Sequence, residues 1–149
     1  MSGLVKEAMV SEPPWLAEDA TAQEAGVLLA RSEVRAVFVC DAGGTLTGVV
    51  TRKTLVREVV APGLHPRETP LGQIAEEPHY TIDSTEDLEA AFHFLEEHDA
   101  ERVPVVDGGR LVGVLSRSVL QRRLAEDEPP RGETDQPPSA RDNGFNTGV

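Results

Sequence analysis

Residues 102–124 read RVPVVDGGRLVGVLSRSVLQRRL, and this stretch decides the fold. Val103, Val105 and Val106 form an apolar run of strand-forming residues. Asp107-Gly108-Gly109 supplies a turn, because glycine and aspartate tolerate positive φ where branched residues do not. Leu111, Val112, Val114 and Leu115 make a second apolar run, so the segment reads as a hairpin. Ser116 follows, placed to cap a helix that runs to about Leu124. The unit is strand, turn, strand, hydroxyl, helix.

The same unit occurs earlier in the chain. Ala36-Val37-Phe38-Val39-Cys40 is its first strand, Asp41-Ala42-Gly43-Gly44 its turn, and Leu46 to Val50 its second strand. Thr51 opens the helix Arg52 to Val60. Gly48-Val49-Val50-Thr51-Arg52 lies over Gly113-Val114-Leu115-Ser116-Arg117 at an offset of about 65 residues, too long for a solenoid repeat and suited to a duplicated small domain.

The segments ahead of each hairpin also repeat. Gly3 to Met9 reads as a short helix stopped by Pro13-Pro14, and Pro70 to Ile74 reads as its second copy, with Ile74 in the place of Met9. Trp15-Leu16 is a short strand, paralleled by Pro78-His79-Tyr80-Thr81-Ile82. Thr21-x-x-Glu24 and Ser84-x-x-Asp87 are both capping-box patterns. The helices they start carry Ala22, Ala25 and Leu29 on one face, and Leu88, Ala91, Phe92 and Leu95 in a stripe. Repeat one spans 4–63, a polar connector 64–69 and repeat two 70–126. From residue 127 the chain turns to Pro, Gly, Asp and Glu, a composition that reads as a disordered tail over 127–149, with Phe145 its one aromatic.

The chain has 149 residues and a net charge of −12, which argues against nucleic acid and against an anionic membrane surface. Cys40 is the single cysteine, so neither an intrachain disulfide nor a cysteine zinc cluster forms, and its apolar strand makes it a buried thiol. No signal peptide and no bilayer-length apolar run is visible, so a soluble cytoplasmic protein is expected. The four histidines are scattered, and no nucleophile elbow, phosphate loop or His-Glu-x-x-His pattern is present. The chain therefore reads as no enzyme, with no metal site and no required cofactor.

Two junctions remain. Thr51 and Ser116 each place a hydroxyl beside unpaired N–H groups at a helix start, where an anion is favoured. Arg52 and Arg117 follow at once and can take a phosphate bidentately. The plain alternative is a helix cap with a solvated arginine.

Pro104-Val105-Val106-Asp107 and the two Gly-x-x-(Thr/Ser) segments make the chain resemble a tandem pair of CBS domains, the cystathionine β-synthase-type regulatory modules, over roughly residues 4 to 126. The resemblance implies an α/β fold of two intertwined β-α-β-β-α repeats related by a pseudo-two-fold, with small sheets packed against helices and one shared core. It implies an adenosine-type ligand (AMP, ADP, ATP or S-adenosylmethionine) held between the repeats by Thr51, Arg52, Ser116 and Arg117, against walls drawn from Trp15, Tyr80, Val37, Val103 and Pro104. The family's ribose-binding aspartate falls at Thr54 and Val119, so it is absent. Thr54 keeps a hydroxyl and makes repeat one the better site; Val119 forfeits a hydrogen bond of roughly 1–3 kcal/mol, a tenfold to hundredfold loss in affinity. The expected function is a regulatory, energy-sensing homodimer acting on an effector protein. The alternative is a degenerate pair that serves as a nucleotide-independent dimerisation or interaction module.

Overall fold

In the structure, a computed structural model describing residues 3–127, both hairpins form where the valine and leucine runs place them. The first half comprises β2 (Trp15–Ala17), α1 (Ala22–Leu29), β3 (Val37–Cys40), β4 (Leu46–Val50) and α2 (Arg52–Leu55), which winds on as a π-helix over Val56–Val60. The second comprises β5 (Ile82–Asp83), α4 (Leu88–Glu97), β6 (Arg102–Asp107), β7 (Arg110–Ser116) and α5 (Arg117–Asp127). Two short elements precede them, β1 (Val10–Ser11) and α3 (Leu71–Ile74). In each half the first strand lies parallel to the second and the second antiparallel to the third. The register slips at the same place in both hairpins, between Val39 and Cys40 and between Val105 and Val106. A bulge kept in both halves is a further mark of duplication.

The halves exchange their leading segments. β1 pairs antiparallel with β7, so the first sheet runs β1-β7-β6-β5 and the second β2-β3-β4. Val5 is fully buried among Leu88, Leu95 and Leu115 of the second half, and Leu71 and Ile74 are buried among Leu29, Val37 and Val50 of the first. The N–H of Val5 donates to Glu86 O at 2.9 Å and that of Leu71 to Ala20 O at 2.8 Å. Two cores therefore exist in place of the single one expected, each assembled from both halves. Burying each of these side chains contributes roughly 1.5–3 kcal/mol, which makes each crossing segment part of its host's stability.

This exchange explains the glycine of the repeated motif. A Cβ on Gly113 would stand 2.6 Å from Met9 Sδ and 2.8 Å from Val10 O, and one on Gly48 would stand 2.7 Å from Ala75 Cβ. Only hydrogen fits where the exchanged segment crosses the third strand. The crossing also fixes the alignment of the repeats: Ala75, not Ile74, is the counterpart of Met9. At the far side the two turns join, with Leu46 N donating to Gly109 O at 3.0 Å, Leu111 N to Gly44 O at 3.3 Å, and the Arg110 guanidinium to the Gly43 carbonyl.

Three local expectations change. Thr21 and Glu24 do form a capping box, but α4 is capped by Asp87, whose carboxylate accepts from Ala90 N at 3.1 Å. Ser84 is instead buried, its N–H donating to Val106 O. Beside it the Asp83 carboxylate accepts from both the N–H and the hydroxyl of Thr85, which holds its pKa below the usual carboxylate range. Of Pro78–Ile82 only Ile82 enters a strand: in the first half Phe38 N donates to Pro14 O at 3.2 Å, and Pro104, in the place of Phe38, has no N–H to give. α5 reaches Asp127, past Leu124. Cys40 is buried as expected, and that burial pushes its thiol pKa up. The tail and Phe145 lie outside the described residues from 128 onward.

Candidate functional site

A cleft of about 610 Å³ opens between the two halves. One wall is the segment joining α1 to β3, with Glu33, Val34, Arg35 and Ala36; the facing wall is its counterpart joining α4 to β6, from His98 to Pro104. Phe38, Val49 and Val114 supply apolar surface, and Glu12 to Pro14 and Pro78 to Tyr80 close it. The two lining stretches occupy equivalent places because each third-strand hairpin is preceded by the same helix-to-strand turn. The cleft is the pseudo-two-fold made into a cavity.

Its charge is mixed. Glu12, Glu33, Asp99 and Glu101 stand against Arg35 and Arg102. Neither Arg35 nor Arg102 enters an ion pair among the described residues. Glu33 is held below the usual carboxylate range by a backbone hydrogen bond and by Arg31. The second half adds an aromatic cluster: the Tyr80 ring lies 4.7 Å from His98 and 5.4 Å edge-on from Phe94, with Phe94 and His98 at 4.4 Å. The first half has Pro13 and Pro14 there, so the wall is unequal in chemistry though equal in backbone.

The residues picked from sequence divide into three groups. Tyr80, Val103 and Pro104 line the cleft. Trp15, half exposed, lines a neighbouring depression with Leu111 and Val112, while Val37 is closed inside the first core. The remaining five, at the two junctions, are not among the residues that line it.

The junctions differ. Thr54 is fully buried, its hydroxyl donating to Glu76 Oε2 at 2.9 Å and accepting from Thr51 N at 3.0 Å. Glu76 is also ion-paired with Arg57. With the Thr54 proton spent on Glu76, the 3.1 Å contact between the two hydroxyls must run from Thr51 to Thr54. Thr51 Oγ1 also accepts from Thr54 N at 3.3 Å, so this junction is closed on itself. The ribose contact expected of Thr54 meets a hydroxyl with its proton and its place already taken. Arg52 gives its Nη2 to the carbonyls of Arg31 and Val34 at 2.8 and 2.9 Å.

The second junction is looser. Ser116 Oγ accepts from Val119 N only at 3.5 Å and meets Ser118 Oγ at 2.9 Å. If Ser118 donates, the Ser116 proton is left to give to an acceptor. Arg117 pairs with Asp99 at 3.3 Å and Glu101 at 3.6 Å, both solvent-facing carboxylates. Such pairs are worth little and exchange readily.

Sequence reasoning missed most of the lining: Arg35, Glu33, His79, His98, Asp99, Glu101 and Arg102. The usable signal was positional, the residues just ahead of each hairpin. Among the described residues no three His, Cys, Asp or Glu gather as a metal site, and no helix is long and apolar enough to cross a membrane.

Comparison with known proteins agrees with the duplication. The CBS domain family model matches twice, over residues 5–61 and 71–126. Hypoxic response protein 1 of Mycobacterium tuberculosis is 28% identical over 109 residues, covering 73% of this chain and 76% of that protein. Among solved structures, a putative acetoin utilization protein (AcuB) from Vibrio cholerae has a TM-score of 0.72 at 24% identity, covering 87% of this chain and 100% of that one. CBSX2 in complex with AMP has a TM-score of 0.66 at 23% identity, covering 83% and 96%. With both halves matched, the chain belongs to the CBS domain family as a tandem pair of repeats.

Proposed function

We propose that this CBS pair is a non-catalytic regulatory module that takes an adenosine-type ligand into the cleft, with the ligand's anionic end at the second junction. The observation that carries the reading is the inequality of the junctions: Thr51 is bonded to Thr54, Thr54 to Glu76, and Arg52 holds two carbonyls of its own half, while Ser116 meets only the Ser118 hydroxyl and a 3.5 Å amide and Arg117 is held by exposed carboxylates. This reverses the preference for repeat one. A phosphate reaching Arg117 would displace two exposed carboxylates and gain a bidentate contact. Arg102 on the same wall adds a second cation, and the apolar faces of Pro104, Val103 and Tyr80 suit a planar base. CBSX2, which shares the fold, was solved with AMP.

Ligand binding would act on an effector protein by favouring one arrangement of the two walls, and only to the extent of its differential affinity for the two. A second copy of the chain is the proposed partner of the helical face, where Val27, Val56 and Val60 are 61%, 58% and 68% exposed. Calorimetric titration with AMP, ADP, ATP and S-adenosylmethionine tests the reading: saturable heat with one of them is expected, and none with any would refute it. The closed first junction favours one second reading, a pair that works by protein contact alone; an unchanged melting temperature with all four ligands would support it.

A further inference from the structure

Arg52 and Arg117 hold the same place in the two halves, yet they do unlike work. In the second half the cleft wall is tied down by backbone: the N–H of Arg117 donates to Glu101 O at 2.9 Å, and the β6–β7 ladder begins as early as Arg102 opposite Ser116. In the first half β3 begins only at Val37, opposite Val50, and the wall residues Glu33 to Ala36 lie outside the ladder. There the Arg52 side chain spans the gap, giving its Nη2 to Arg31 O at 2.8 Å and to Val34 O at 2.9 Å. Both carbonyls belong to the segment that forms the wall.

We infer that Arg52 is a positioning residue: its guanidinium replaces the backbone link of the second half and sets the first wall of the cleft, so it is not a phosphate ligand. A planar guanidinium can hold two carbonyls at a fixed angle, whereas a lysine ammonium is a single point charge on a flexible stem. The wall carries Glu33, Val34, Arg35 and Ala36 into the cavity, and its placement therefore sets the cavity's width for any occupant. Val34 is nearly buried in the first core, so a freed wall would swing about that anchor.

The test has two arms on the full chain, and only the second rests on the ligand reading above. In the first, amide hydrogen exchange is followed over residues 33–37. Arg52→Ala should speed exchange there several-fold and Arg52→Lys by less, while Arg117→Ala should leave residues 101–103 as protected as before. Unchanged exchange in Arg52→Ala would overturn the inference. In the second arm, affinities for AMP and for uncharged adenosine are compared. Arg52→Ala should weaken both alike and leave their ratio unchanged, whereas Arg117→Ala should weaken AMP alone. A loss confined to AMP in Arg52→Ala would make Arg52 a phosphate ligand and sink the assignment. If the unaltered protein binds neither compound, the adenosine reading fails, and the exchange arm still decides the role of Arg52.

Discussion

Thr54 and Val119 occupy the same position in the two halves, three residues after the capping hydroxyl, and they close it in different ways. Thr54 is bonded to Glu76, Thr51 and the start of its own helix. Val119 offers no polar atom and is half-buried beside a serine pair. A carboxylate at 119 would therefore face the looser junction, where Ser116 and Arg117 already stand. Val119→Asp is expected to strengthen AMP binding about tenfold or more, the gain of one hydrogen-bonded group worth roughly 1–3 kcal/mol. Titration of that variant against the unaltered protein checks it, and equal affinities would place the ribose elsewhere. Little of this inequality was legible in the sequence. The hydroxyls of Thr51 and Ser116 were visible as caps, but what occupies Thr54 comes from Glu76, 22 residues away.

The elements were read more fully than the residues, because each rests on local chemistry. The apolar runs of the hairpins, the Asp-Ala-Gly-Gly and Asp-Gly-Gly turns and the Thr21–Glu24 box act within a few residues, and all formed as read. Where local solutions compete the pattern misleads: Ser84-x-x-Asp87 reads with Ser84 as the cap, but Asp87 takes that place because Ser84 is drawn into the sheet through Val106. The exchange of leading segments was implied by the family resemblance and not by any local pattern, because Val10 pairs with Val114 across most of the chain. Its imprint is a glycine. Gly113→Ala puts a methyl 2.8 Å from a backbone oxygen that cannot rotate away, so overpacking of about 1–3 kcal/mol is expected. Denaturant unfolding would register that loss; a variant as stable as the parent would mean β1 can leave β7 freely.

At the scale of the whole molecule, intertwined repeats with a cleft between them were implied by the resemblance, and most of the cleft's lining was not legible. A duplicated hairpin announces a two-fold, but the cavity is walled by two runs ahead of the hairpins that come together only through the packing of the two halves. The same limit applies to the outer surface. Val27 on α1 and Val56 and Val60 on the π-helix that continues α2 face solvent, whereas their counterparts in the second half are His93, Gln121 and Ala125. If a second copy covers that face, sedimentation should give twice the 16.1 kDa of the chain, and Val60→Asp should shift the protein toward the monomer. A monomer at high concentration without any substitution would leave the face to another partner.

The most direct test of the central claim, an anionic adenosine ligand held at the second junction, is calorimetric titration of AMP into the unaltered protein, Ser116→Ala and Thr51→Ala. Saturable binding that Ser116→Ala weakens strongly and Thr51→Ala leaves nearly intact is the expected result. Binding lost in Thr51→Ala and kept in Ser116→Ala would contradict it and return the site to the first half.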